Sequence, residues 1–285
     1  MKYQFIATYQ QEYPVKTMCR VLEVAESGDS AWLRRAPSRR SQENTGLGER
    51  IVRIYQANRQ VYGSPRIHAV LRAEGQSCGK KRVARLMRER GLSAKARKHR
   101  TRTTDSQHDQ PVAPNLLNRE FTATAPNTKW VADITAIWTA QGWLYLAVVL
   151  DIFSRMVVGW AMDAHRDEAL VEQAVRMALA RRHPEPGLVH HSDRGSQYTA
   201  ADYRELLAHY GIVVSMSGKG DCYDNALMES FFGTLKTECV DRQSFSSRAQ
   251  ARLVIFEYLE AFYNRQRLHS SLGYVSPATF EQQAN

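Results

Sequence analysis

Apolar and polar positions fall into three regimes along the chain. In the first, up to about residue 102, apolar residues recur at helical spacing. The stretch 15–35, "VKTMCRVLEVAESGDSAWLRR", predicts one helix, a turn at Gly28 and a second short helix. Ile51, Ile54 and Tyr55 mark another helix within 49–60. Ser64 as cap and Pro65 at the first helical position then open a helix with the stripe Ile67, Val70 and Leu71, ended by Gly75. A short turn later, Val83, Leu86 and Met87 form a second stripe. The second regime, 101–130, has three prolines, few apolar residues and no period, which predicts a linker partly ordered by Leu116, Leu117 and Phe121.

The third regime begins near Lys129. "KWVADITAIWT", "WLYLAVVLDIFS" and "RMVVGWAMD" are β-rich runs, with turns at "TAQG" and at Ser154-Arg155, and predict an antiparallel meander. A helix over 166–182 follows, with Leu170, Val171, Ala174, Val175, Met177 and Ala178 inward. Then come a strand "GLVHHS", a helix "AADYRELLAHY", a strand "IVVSMS" and a helix over 225–238. That order predicts an α/β fold, a five-stranded mixed sheet flanked by helices. A last helix over 247–267 carries Leu253, Phe256, Leu259, Phe262 and Tyr263. The expected organisation is therefore a helical region 1–100, a linker 101–127, a core 128–240 and a helical extension 241–285.

Charge changes the picture more than composition does. Hydrophobic residues make up 43% of the 285 and charged residues 24%, ordinary for a globular protein. No apolar run approaches the ~18–20 residues of a membrane span, and the N-terminus does not read as a secretory signal. Cys19, Cys78, Cys222 and Cys239 form no CxxC pair, which predicts reduced thiols in a cytoplasm. The net charge of +10 is segregated: residues 31–105 hold 20 Lys and Arg against 5 Asp and Glu, the remainder 19 against 24. Lys80, Lys81, Arg82, Arg85 and Arg88 crowd the second of the two short helices, which is helix-turn-helix grammar and points to DNA. A solvated helical hairpin is the plainer alternative.

Three acidic residues stand where apolar packing normally excludes charge. Asp133 interrupts the first strand, Asp193 sits where the fourth strand runs out, and Glu229 lies on a helix beside Met228, Phe231 and Phe232. Gathered together at ~4 Å they repel by about 4 kcal/mol per pair at an effective dielectric near 20. Such a cluster calls for protons or cations, and two Mg²⁺ ions suit all-oxygen donors and in-line displacement at phosphorus. There is no Gly-rich phosphate loop, since "GKGD" at 218–221 lacks the flanking residues.

Spacing alone is weak evidence; the flanks are specific. Asp133 and Asp193 are separated by 59 residues, Asp193 and Glu229 by 35. "NTKWVADITAI", "LAVVLDIFSRMVVGWAM", "HHSDRGSQYTA", "SMSGKGDCYDNALMESFFGTLKTE" and "YNRQRLHSSLGYVSPATF" cover most of residues 125–280, and "VYGSPRIHAVL" extends the match into the basic region. With these stretches the chain resembles the bacterial insertion-sequence transposases with a retroviral-integrase-like core, of the type encoded by the second reading frame, OrfB. The resemblance implies a ribonuclease H-like fold and a DDE polynucleotidyl transferase with Asp133, Asp193 and Glu229 as metal-binding catalytic carboxylates. Mg²⁺ is the implied cofactor, with Mn²⁺ as substitute. DNA transposition, recombination and integration are the implied functions. Transposon ends and target DNA, a homo-oligomer on DNA and the first-frame OrfA product are the implied partners, in the bacterial cytoplasm and at the nucleoid.

By the same resemblance Lys236 matches a basic position near the DNA end. Positions 225, 229, 232 and 236 share a helix face, so Asn225, Glu229 and Lys236 can address one site. Arg194, Gln197 and Tyr198 either position phosphate or pack the adjoining loop. His190 and His191 point to opposite faces of a strand and do not pair as zinc ligands, though His191 can sit behind the site. Asp151 reads as a strand-end turn residue, Asp224 as a helix cap, and Glu238 as a rival third carboxylate whose flanks do not match. "NRQRLH" touches DNA or finishes a solvated helix. Two other classes stay open: a non-catalytic DNA binder derived from a transposase, and a general ribonuclease H-fold nuclease.

Overall fold

The computed structural model describes residues 1–94, 112–218 and 225–284. The basic region gives six helices, α1 (Lys2–Tyr9), α2 (Val15–Val21), α3 (Glu26–Arg34), α4 (Arg39–Ala57), α5 (Ser64–Ala73) and α6 (Lys80–Glu89). Gly28 lies inside α3 and makes no turn, contrary to the expectation; the reversal comes earlier, at Glu23 with φ +50°. A Cβ on Gly28 would stand 2.5 Å from the Tyr3 hydroxyl, so the glycine makes room for α1. Helix α4 begins ten residues before the expected start. Gly63, not Ser64, caps α5, and Pro65 sits in its first turn as predicted. Ile67, Leu71, Val83, Leu86 and Met87 are all buried, and Gly75 closes α5 with φ +76°.

The core sheet consists of β1 (Lys129–Thr139), β2 (Gly142–Asp151), β3 (Val157–Asp163), β4 (Val189–Ser192) and β5 (Val213–Met216), in the order β3-β2-β1-β4-β5. The first three strands are the predicted meander; β4 pairs in parallel with β1 and β5. Between the strands lie α7 (Glu168–Arg182), α8 (Ser196–Thr199) and α9 (Ala201–His209), and after β5 comes α10 (Ala226–Glu238). Helix α11 (Arg248–Glu257), a π-helical stretch Tyr258–Tyr263 and α12 (Pro277–Ala284) complete the chain.

Strand alternation divides the core by face. Trp130, Ala132, Ala147 and Val149 pack with Leu170, Val171, Ala174, Val175 and Ala178 of α7 and with Tyr203 and Leu207 of α9. Met177 is only half-buried, and Leu179 takes the inward place expected for it. Gly159 of β3 lets α7 lie close, since a Cβ there would stand 2.1 Å from the Ala174 carbonyl oxygen. Val131, Ile137, Leu146 and Val148 form the other face with Met228, Phe231, Phe232 and Leu235 of α10, and Ile51, Tyr62, Ile67 and Leu71 of the basic region join the same cluster. Ile6, Met18 and Cys19 make a small separate core for α1–α3.

The final helix departs from its expected stripe: Leu253 is 68% and Phe256 47% exposed. The π-helical stretch inserts an extra residue per turn. Leu259, Phe262 and Tyr263 are buried as expected, in line with Ala251, Ile255 and Tyr258, and Leu253 and Phe256 lie off that face. Within the expected linker, Leu117 is buried and Phe121 packs against the core, while Leu116 is exposed; part of this stretch and the cap assigned to Asp224 lie outside the described residues. Cys19, Cys78 and Cys239 are free thiols. No described helix is long and apolar enough to cross a membrane.

Candidate active site

Asp133 and Asp193 reach one place because of strand register. Val131 on β1 is the parallel partner of His191 on β4, so the two aspartates stand level, two residues further along adjacent strands. Strands lie about 4.8 Å apart, which sets the scale of the separation. Asp133 Oδ1 accepts the Ile134 amide at 2.7 Å, and Asp193 Oδ1 accepts the Gly195 amide at 2.9 Å. A Cβ on the buried Gly195 would meet that carboxylate and the Gln197 side chain, each at 3.0 Å, so the chain turns tightly around Asp193.

Electrostatics tie the third carboxylate to these two. Burial raises the Asp133 carboxyl to about 8, and the neighbouring Asp193 and then Glu229 push the same way; the Ile134 amide and Arg166 act against them. Glu229 itself is exposed on α10, and Asp133 and Asp193 are half-buried. This corrects the expectation of three buried-side carboxylates. Glu229 is exposed at the edge of the face that buries Met228, Phe231 and Phe232. Among the described residues no three His, Cys, Asp or Glu side chains are already gathered as one metal-ligand set. The donors that are present fit a hard divalent cation: two adjacent carboxylates, with Glu229 within electrostatic reach.

Tyr198 takes the packing alternative of its two expected roles. It is 2% exposed and packs edge-on against Tyr203 at 5.7 Å. Its hydroxyl is buried with no hydrogen-bond partner. Burial, then Asp133, Tyr203 and Asp193, raise its pKa well above the ordinary range. Arg194 donates from Nε to the Ser217 carbonyl at 2.7 Å and so fastens the adjoining loop. Asn225 is buried at the start of α10 and Lys236 half-buried near its end. His190 is buried against the Tyr203 hydroxyl at 2.7 Å and held neutral, its pKa lowered to about 3 by burial. His191 Nδ1 meets Ser215 at 2.9 Å, which braces β4 against β5.

Sequence reasoning missed Arg166. It precedes α7, its Nε is buried without a hydrogen-bond partner, and it is the cation that opposes the Asp133 shift; no periodicity marks it. Asp151 is fully buried and accepts the Asn127 and Phe153 amides at 2.7 and 2.8 Å, the expected turn role. In the basic region Lys80, Lys81, Arg85 and Arg88 are exposed along α6. Arg82 turns inward instead, from Nε to Asn44 Oδ1 at 2.8 Å, and so braces α6 against α4.

A sheet ordered β3-β2-β1-β4-β5, with acidic residues within β1, after β4 and on the helix following β5, is that of a ribonuclease H-like integrase core. Residues 123–222 and 210–277 each match a family described as "Integrase core domain", and residues 41–100 an "HTH-like domain". The transposase InsF of insertion sequence IS3A from Escherichia coli K12 is 44% identical over 283 residues, 99% of this chain and 98% of that one. A 31 kDa protein of insertion element IS600 from Shigella sonnei is 46% identical over 265 residues, 93% of this chain and 97% of its own. The magnesium-bound catalytic core of HTLV-2 integrase is 18% identical with a TM-score of 0.45, over 55% of this chain and 98% of that one. The chain belongs to the transposases of bacterial insertion sequences, which are DDE polynucleotidyl transferases.

Proposed function

We propose that this chain cuts the ends of its insertion sequence and joins them to target DNA in a divalent-metal-dependent reaction. Asp133, Asp193 and Glu229 are the carboxylates that hold the metal. The observation that carries this reading is the level placement of Asp133 within β1 and Asp193 just past β4, with the Asp133 carboxyl driven up by burial and by its acidic neighbours. Mg²⁺, or Mn²⁺ in its place, supplies charge neutralisation and activation of a water or a 3′-hydroxyl for displacement at phosphorus.

The protein groups prepare that chemistry. Asp133 and Asp193 are each held at one oxygen by the Ile134 and Gly195 amides. Glu229 swings inward from its exposed position to complete the set. Arg166 offsets part of the acidic charge before any cation arrives. Lys236 and Asn225, on the Glu229 face of α10, meet the DNA end, and Arg194 holds the loop beside it. Lys80, Lys81, Arg85 and Arg88 bind the DNA backbone and make association steeply salt-dependent. The protein works in the cytoplasm as a homo-oligomer on DNA, at the nucleoid while active, alone or joined to the first-frame product. The region before residue 101 serves as the DNA-binding unit and residues 128–240 as the catalytic core.

The test is Asp193→Asn on duplexes carrying the element's ends. Cleavage and strand joining should vanish while end binding without metal stays near wild type. Full cleavage by this variant refutes the assignment.

A further inference from the structure

Within "NRQRLH" at 264–269 Asn264 and Arg267 are buried, as is Tyr263 before them, while Arg265 and Gln266 are exposed. Arg267 meets Glu238 in a two-pronged ion pair, Nε to Oε2 and Nη2 to Oε1, both at 2.7 Å. The Tyr258 hydroxyl donates to Glu238 Oε2 at 2.9 Å, and Arg66 of α5 stands 3.9 Å from Oε1. Glu238 ends α10, nine residues after Glu229, and nine residues turn a helix by about half a revolution. The clamp therefore grips the side of α10 opposite Glu229. A second grip lies directly behind that carboxylate, where Phe231 packs edge-on against Tyr263 at 5.0 Å and 87°. The segment is in turn fixed to β3 by Asn264, which exchanges two 2.9 Å hydrogen bonds with the Val157 backbone. It is also fixed to the basic region: the Tyr62 hydroxyl accepts the Leu268 amide at 2.8 Å, and Arg66 Nε donates to the Leu268 carbonyl at 2.8 Å.

We propose that Arg267 and Glu238 are positioning residues, which set the roll of α10 and so the place of Glu229 relative to Asp133 and Asp193. This rests on the carboxylate reading above. A carboxylate about 6 Å from a helix axis moves by roughly 1 Å when the helix rolls by about 10°, and misplacement on that scale costs about 10²-fold in rate. Arg267→Lys keeps the charge but loses the planar fork that spans both oxygens of Glu238.

The experiment compares full-length wild type, Arg267→Lys, Tyr258→Phe and Asp193→Asn. One readout is the Mg²⁺ concentration that half-saturates the rise in melting temperature without DNA; the other is kcat and KM for end cleavage. Arg267→Lys should raise the half-saturating Mg²⁺ by about 10- to 100-fold and lower kcat to match, with a smaller rise in KM for DNA because Lys236 and Asn225 ride on the same helix. Tyr258→Phe, which removes only a hydroxyl, should move both the same way by about fivefold; if Arg267→Lys fails to fold, this variant decides alone. A Mg²⁺ response that is normal in wild type, lost in Asp193→Asn and unmoved in the clamp variants overturns the inference alone, even if the variants melt earlier. No Mg²⁺ response in wild type overturns the carboxylate reading and the inference together.

Discussion

Neutralising Asp133 should stabilise the metal-free protein while destroying its activity. Asp133 and Asp193 stand level on adjacent strands. At the strand spacing of about 4.8 Å, two unit charges repel by about 3 kcal/mol at an effective dielectric near 20, and desolvation adds to that. The pH dependence follows from the folded pKa of about 8 against an ordinary 3.8. A carboxyl raised by folding favours the native state fully below pH 4, and that favour is lost as pH climbs toward 8. Asn cannot ionise and keeps an oxygen for the Ile134 amide. Asp133→Asn should therefore melt with wild type at pH 4 and above it at pH 7.5 without metal. At roughly 2–4 °C per kcal/mol the gap is about 6 °C or more. Saturating Mg²⁺ should close the gap by stabilising wild type alone. Differential scanning calorimetry with chelator and with Mg²⁺ measures both; an Asp133→Asn protein that melts at or below wild type at pH 7.5 in chelator refutes the electrostatic argument.

Other positions give sharper contrasts. Gly159→Ala forces a methyl against the Ala174 carbonyl and should cost about 1–3 kcal/mol, read as a lower denaturant midpoint, while a neutral result would mean that α7 shifts freely. Alanine at Lys80, Lys81, Arg85 or Arg88 should weaken binding of end DNA at unchanged melting temperature, and each lost phosphate contact should flatten the log–log salt slope by about 0.9. Arg82→Ala should instead lower the melting temperature, because its guanidinium is bonded to Asn44; equal effects from Arg82 and Lys81 would contradict that division. Gly195→Ala should impair cleavage more than stability, since the added methyl meets the Asp193 carboxylate and the Gln197 side chain first; cleavage at the wild-type rate would refute it.

What could be read beforehand was what short-range pattern controls. Three β-rich runs joined by short turns between Lys129 and Asp163 gave the three-stranded meander, because tight turns leave little choice of pairing. The Val131 to His191 register then brought Asp133 and Asp193 level, and the motifs around them had singled both out. Features set by distant partners were not legible. Leu253 and Phe256 fit a helical stripe with Leu259, yet the buried face runs through Ala251, Ile255 and Tyr258. "NRQRLH" looks like solvent-facing charge because Glu238, which neutralises Arg267, lies 29 residues earlier. Tyr198 follows Asp193 by five residues, yet its ring on the short α8 is buried. Arg166 carries no signature except its place before α7.

The central claim is that Asp133, Asp193 and Glu229 share divalent cations. Anomalous scattering from a Mn²⁺-soaked crystal of the wild-type protein bound to end DNA tests it most directly. The account predicts strong peaks within coordination distance of Asp133 and Asp193, with Glu229 turned inward onto them. Mn²⁺ bound elsewhere, with these three carboxylates ligating nothing, would contradict it.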